Sequence, residues 1–182
     1  MILYVNACVR KESRTKRLAD KLLEKMNDTV EEMKLENLTF PTVDGAFLLH
    51  RDELVSTGSF DDPLFAYARQ FAAADTIVIA APYYDLSFPA RLKQYLEQIN
   101  VVGITFRYSE AGIPVGLCNA KKLYYVTTAG GNYVPDEFGF GYVKALAQNY
   151  YGVKDVELIK AIGLDIVGAD VKGIMREAEK QI

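Results

Sequence analysis

Along this chain, short apolar runs alternate with longer stretches in which apolar residues recur every three or four positions. Ile2 to Asn6, Val30 to Leu35, Thr76 to Ala80, Lys122 to Thr128 and Val156 to Ile162 are of strand length and bounded by polar or turn-forming residues, which predicts five strands. Arg14 to Asn27, with Leu18, Leu22, Leu23 and Met26 on one face, predicts an amphipathic helix, as do Pro63 to Ala73, Ser87 to Ile99, Tyr142 to Tyr150 and Ala169 to Ile182. A βα unit repeated five times predicts an α/β fold with a parallel sheet covered by helices on both faces. The runs "TIVIAAP" and "LYYVTTA" are apolar almost throughout, as interior strands buried on both sides must be, so they mark the sheet centre. Two segments interrupt the repeat. Asn37 to Asp62 is a long connection with a short helix expected over Ala46 to Val55, and Val102 to Ala120 reads as a hairpin-like excursion.

Composition narrows the class. Half of the 182 residues are apolar, enough for a full core in a single domain spanning 1–182. A net charge of −3 gives no electrostatic ground for nucleic acid or an anionic membrane as partner. No signal-peptide pattern opens the chain, and no apolar run approaches the roughly 20 residues that span a bilayer, so a cytoplasmic protein is expected. Two cysteines, Cys8 and Cys118, fit reduced thiols better than a structural disulfide. No metal-ligand pattern stands out.

In open α/β sheets the ligand sits beyond the carboxyl ends of the strands, where strand order reverses. The loops after the first, third and fourth strands are therefore the candidates. The first, "CVRKESRT", offers Arg10, Ser13, Arg14 and Thr15 at a helix N-terminus, where free N–H groups and the dipole favour an anion such as a phosphate monoester. Ser13 alone is equally an ordinary N-cap. The same stretch has the C-x5-R-[ST] spacing of a cysteine-dependent phosphatase, with Cys8 as nucleophile and Arg14 as phosphoryl clamp. Against that reading, "VRKES" holds no Gly or Asn for a tight anion cradle, and Glu12 would set a carboxylate against a phosphate. The second loop, "APYYDLSFPA", carries Pro82, Tyr83, Tyr84, Asp85 and Leu86, with Ser87 expected as N-cap of the next helix; paired aromatics suit a flat ring or simply fill a gap between helices. The third, "TTAGGNY", contains Thr128, Ala129, Gly130 and Gly131, where glycines allow close backbone approach or an ordinary turn.

Taken together, these loops resemble the flavodoxin-like FMN-dependent NAD(P)H:quinone oxidoreductases and NADH-azoreductases. Ser13-Arg14-Thr15 with "KRLADKL" is similar to that family's S-x-S and "RKLAD" segment; "PYYDLSFPA" resembles its P-[MY]-[YW]-N-[FL]-S-[IF]-P loop; Thr128 to Gly131 matches [ST]-x-G-G; and "TFRYSEAGIPVGL" is similar to "TFKYTENGPVGL". The resemblance covers nearly the whole chain, in order.

It implies a five-stranded sheet of order 2-1-3-4-5 and a homodimer with FMN at its interface. It also implies ping-pong transfer of hydride from NADH or NADPH, through flavin N5, to a small aromatic acceptor such as a quinone or azo compound. Arg10, Ser13, Arg14 and Thr15 would hold the FMN phosphate; Pro82 to Leu86 would lie along the isoalloxazine; Thr128 to Gly131 would meet its polar edge; Phe106, Tyr108, Asn132 and Tyr133 would face the acceptor. No side chain would be an obligatory acid or base, and the lone His50 reads as structural. Cys8 then becomes a small residue beside the phosphate. Asp85 replaces the family's usual Asn, an acceptor-only carboxylate for an amide, which by hypothesis lowers the flavin potential. A flavodoxin-type electron carrier without a substrate pocket is the alternative, and an interaction module that keeps the fold without a cofactor is a third.

Overall fold

The computed structural model describes all residues, 1–182. Five parallel strands form the sheet in the order β2-β1-β3-β6-β7: β1 (Ile2–Asn6), β2 (Val30–Lys34), β3 (Thr76–Ala80), β6 (Lys122–Thr128) and β7 (Asp155–Ala161). Counted within the sheet this is the 2-1-3-4-5 order. The excursion supplies a separate antiparallel pair, β4 (Phe106–Tyr108) with β5 (Pro114–Gly116). The helices are α1 (Arg14–Lys25), α2 (Gly45–Ser56), α3 (Ala66–Ala73), α4 (Ala90–Ile99), α5 (Phe140–Leu146) and α6 (Val171–Glu179).

Strand alternation divides the core into two layers. Leu3, Val5, Ile77 and Ile79 point to one face, where Phe71 of α3, Tyr95 and Leu96 of α4 and Tyr151 close over them. Ile2, Tyr4, Val78 and Ala80 point to the other, covered by Leu18 and Leu22 of α1 and Met175 and Ala178 of α6. Edge strand β2 is exposed apart from Met33, and Glu31 and Glu32 keep that edge charged, which discourages pairing with another chain. No helix is long and apolar enough to cross a membrane.

Local differences from the sequence reading have local causes. β2 ends at Lys34 because Leu35–Asn37 turns into a 3-10 helix, and Pro63–Phe65 is a 3-10 turn leading into α3. Ser87 caps nothing: α4 starts at Ala90 after Pro89, and the Ser87 hydroxyl donates to the Phe138 carbonyl at 3.0 Å. Residues Tyr84 to Ser87 instead close a tight turn, with each end's N–H on the other's carbonyl at 2.9 and 2.7 Å. α5 runs on into a π-helical segment, Ala147–Tyr151, ended by Gly152 at φ 80°.

Candidate functional site

A cleft of about 340 Å³ opens at the carboxyl ends of the strands, where the chain passes from β1 outward to β2 on one side and to β3 on the other. That is the switch point at which open α/β sheets bind ligands. Four loops wall it. The β1–α1 loop brings Arg10, Glu12 and Ser13 with Arg14 and Thr15 of the first helical turn; the β3–α4 loop brings Pro82, Tyr83 and Tyr84; β6 and its following loop bring Thr128, Ala129 and Gly130; the β7–α6 loop brings Leu164 and Asp165.

Ser13 is the N-cap of α1, its hydroxyl oxygen accepting from the Lys16 N–H at 3.1 Å. The backbone N–H groups of Arg14 and Thr15 have no partner within the protein, as the first turn of a helix leaves them. Thr15 is buried and its hydroxyl meets that of Thr128 at 2.7 Å, tying the first and third loops together. Either hydroxyl can be the donor, so Thr15 has its backbone N–H to offer an anion and, where Thr128 donates, its own hydroxyl proton as well. Gly130 and Gly131 also carry N–H groups without a protein partner. A Cβ on Gly130 would overlap the Asp165 carboxylate, whereas Gly131 has open space around that position. Arg14 pairs with Asp165, Nη1 to Oδ1 at 2.7 Å.

Of the thirteen residues read from the sequence as cofactor-facing, the cleft gathers all but Asp85, Leu86 and Gly131. Asp85 and Leu86 form the tip of the Tyr84–Ser87 turn, both in the left-handed region at φ 50° and 68°, which a type I′ turn demands of its two central residues. Of the four residues expected to face an acceptor, none lines the cleft. Phe106 is 6% exposed, its ring packed between Tyr108 and Tyr150 at centroid distances of 5.5 and 4.5 Å. Tyr108 is half exposed on the hairpin; the Asn132 side chain lies against Gly163; Tyr133 projects into solvent at 76% exposure. His50 is exposed on α2 and is not part of the site.

Cys8 does not have the setting of a nucleophile. It is buried, its thiol lies 3.8 Å from the Ala80 carbonyl, and burial, outweighing the Ser13 hydroxyl and the Lys16 N–H and charge nearby, pushes its pKa up to about 11. A phosphatase needs a depressed thiolate.

The residues that sequence reasoning missed are Glu12, Leu164 and Asp165. Glu12, which sequence sets only against phosphatase chemistry, lines the cleft. The last two sit on the loop after the final strand, fixed to the glycine loop by Gly163 N–H to Gly131 O at 2.9 Å, Leu164 N–H to Ala129 O at 3.2 Å and Asp165 N–H to Gly130 O at 3.0 Å. The same carboxyl-end rule applied to the fifth strand would have nominated that loop.

Known proteins resemble this chain over its whole length. A family model described as a flavodoxin-like fold matches residues 1–182. FMN-dependent NADH:quinone oxidoreductase 2 of Clostridium perfringens strain 13 is 38% identical, the alignment covering 100% of this chain and 96% of the relative. A protein of the same description from Clostridium acetobutylicum is 39% identical over 96% of this chain and 92% of its own length. Among solved structures, an azoreductase from Bacillus anthracis Sterne shares the fold at TM-score 0.85 and 24% identity, covering 99% of this chain and 95% of its own. An FMN-dependent NADH-azoreductase from Bacillus anthracis Ames Ancestor, solved in complex with FMN, superposes at TM-score 0.80 and 25% identity over 99% and 94% of the two chains. Sequence likeness and backbone likeness run end to end and point the same way: the chain belongs to the flavodoxin-like family of FMN-dependent NADH:quinone oxidoreductases and NADH-azoreductases.

Proposed function

We propose that this protein is an FMN-dependent oxidoreductase that takes electrons from a reduced nicotinamide and passes them to a quinone or azo compound in ping-pong order. The observation that carries the reading is the switch-point cleft. It brings together the unpartnered N–H groups of Arg14 and Thr15 at the start of α1, the free N–H of Gly130, and two tyrosines, Tyr83 and Tyr84. Its volume lies within the about 300–1,000 Å³ typical of small-molecule sites. This donor set fits a phosphate monoester joined to a flat polar ring. When bound, FMN would supply the redox chemistry, carrying a hydride equivalent between the reduced nicotinamide and the acceptor.

The chain's own part is to bind and orient. Ser13, Arg10 and the Arg14 and Thr15 N–H groups are assigned to the phosphate, Pro82, Tyr83 and Tyr84 to the ring, and Gly130 and Gly131 to its polar edge through their N–H groups. The Thr15–Thr128 hydroxyl contact holds the phosphate side and the ring side at a fixed separation. Asn132 and Tyr133 follow the glycine pair and are assigned to the acceptor. Exposed apolar side chains on the surrounding loops, Leu86, Tyr133, Phe138 and Ile166 among them, support a homodimer joined over this rim, and two free cysteines fit a reducing cytoplasm.

The test is the visible spectrum of protein reconstituted with FMN, before and after anaerobic NADH and then a quinone. Bleaching followed by recovery is expected. A protein that takes up no FMN sinks the proposal, and one reduced by NADH that never passes electrons to a quinone or azo dye returns the electron-carrier alternative.

A further inference from the structure

Within the cleft, charge is balanced before any ligand arrives: Arg10 and Arg14 are matched by Glu12 and Asp165. The balance is not diffuse. Arg14, on the first turn of α1, is held by Asp165 at 2.7 Å across 151 residues of chain, with no other carboxylate on that guanidinium. Asp165 cannot drift far, because its own N–H and those of its two predecessors are bonded to the glycine loop. Its second oxygen fills the space a side chain on Gly130 would need, so the carboxylate forms part of the cleft wall. Arg10, by contrast, makes no ion pair and is exposed.

We propose that Asp165 is an internal competitor for the phosphate site and sets how strongly the cleft prefers a phosphorylated flavin to the free one. The inference rests on the functional reading above. A phosphate monoester seated at the start of α1 would bring a dianion to the same guanidinium that Asp165 neutralises. Arg14 must then exchange partners, or one cation must serve two anions whose repulsion is felt at short range. Either way the pair weakens binding of the charged ligand and leaves a neutral one untouched. Asp165 acts through Arg14 and is a specificity-determining residue, not a catalytic one.

Three ligands and a double-mutant cycle test this. Affinities for FMN, riboflavin and inorganic phosphate are measured by titration of the apoprotein, wild type against Asp165→Asn, which keeps size and removes charge. The variant is expected to bind FMN about tenfold tighter, equivalent to about 1.4 kcal/mol, with riboflavin unchanged and a steeper loss of FMN affinity with salt. In an Arg14→Ala background the gain in FMN affinity from Asp165→Asn should shrink, because no pair is left to break and only direct repulsion of the phosphate is relieved, whereas a merely structural effect of the loop would leave it unchanged. Weaker FMN binding by Asp165→Asn would overturn the proposal and make Asp165 a support for Arg14. An equal change for FMN and riboflavin would overturn it as a general disturbance of the wall. If the wild type takes up no FMN at all, the functional reading fails and the exchange is judged on phosphate alone: tighter phosphate binding by the variant upholds it, and equal binding defeats it. Asp165→Ala, measured alongside, repeats the comparison should the Asn variant fold poorly.

Discussion

Leu86 stands at φ 68°, a conformation that costs a residue with a Cβ roughly 1–2 kcal/mol. Its neighbour Asp85, at φ 50°, belongs to a residue type that tolerates the left-handed region better. Leu86→Gly should therefore raise the unfolding free energy by about 1 kcal/mol, read from the urea midpoint at unchanged slope; a drop would show that the exposed side chain contributes more than its backbone costs. Asp85→Asn keeps the same tolerance and removes a charge at the tip of the turn beside Tyr84. If that charge reaches the flavin, the midpoint potential should rise by about 30 mV, the equivalent of about 1.4 kcal/mol for two electrons, and no shift would place Asp85 outside the cofactor's field. Sequence pointed to this turn through "PYYDLSFPA" but misread its geometry. Ser87 looked like a cap because a hydroxyl ahead of a proline and an amphipathic run is the usual sign, yet the turn bonds take up both backbone groups of Ser87 and its hydroxyl goes to Phe138.

At the scale of elements, strands were legible wherever burial on both faces forces an apolar run: β1, β3 and β6 match their expected limits, and β7 is displaced by one residue toward Asp155. Three of the four site loops were legible for a related reason, since hydroxyls, paired aromatics and paired glycines leave local signatures. The β7–α6 loop was not, because Asp165 matters through Arg14, 151 residues away, and no local pattern encodes that meeting. The π-helical end of α5 was equally hidden. It forms where hairpin strand β5 meets the Tyr151–Gly152 backbone with no room for a side chain, a Cβ on Gly116 overlapping both Gly152 N and the Tyr151 carbonyl. Gly116→Ala should thus cost about 3 kcal/mol or more, since backbone cannot move aside as a side-chain end can. The variant's thermal midpoint measures this; a near-neutral result would mean that hairpin and helix end separate easily.

Over the whole molecule, burial acts on ionisable groups that serve no chemistry. Burial pushes the Cys8 thiol up to about 11 and the Cys118 thiol up to about 12, and raises the buried phenols of Tyr4, Tyr95, Tyr125 and Tyr151 as well. All six are acids held neutral by the fold. In the unfolded chain a thiol loses its proton near pH 8.5 and a phenol near pH 10. Above those values the unfolded state therefore binds fewer protons than the folded one, and stability falls with rising pH until each folded pKa is passed. For the thiols the contribution is complete below about pH 8.5, and each loses at most about 1.4 kcal/mol per pH unit above it. Urea midpoints should thus be flat from pH 6.5 to 8 and fall steeply by pH 10, with Cys118→Ala flattening the slope because one of the six groups is gone. The same burial predicts that neither cysteine of the folded protein reacts readily with iodoacetamide at pH 8, and that both react in urea. Fast alkylation of Cys8 in the native state would show an accessible thiolate beside Arg14, the one result that would reopen nucleophilic chemistry for this cleft.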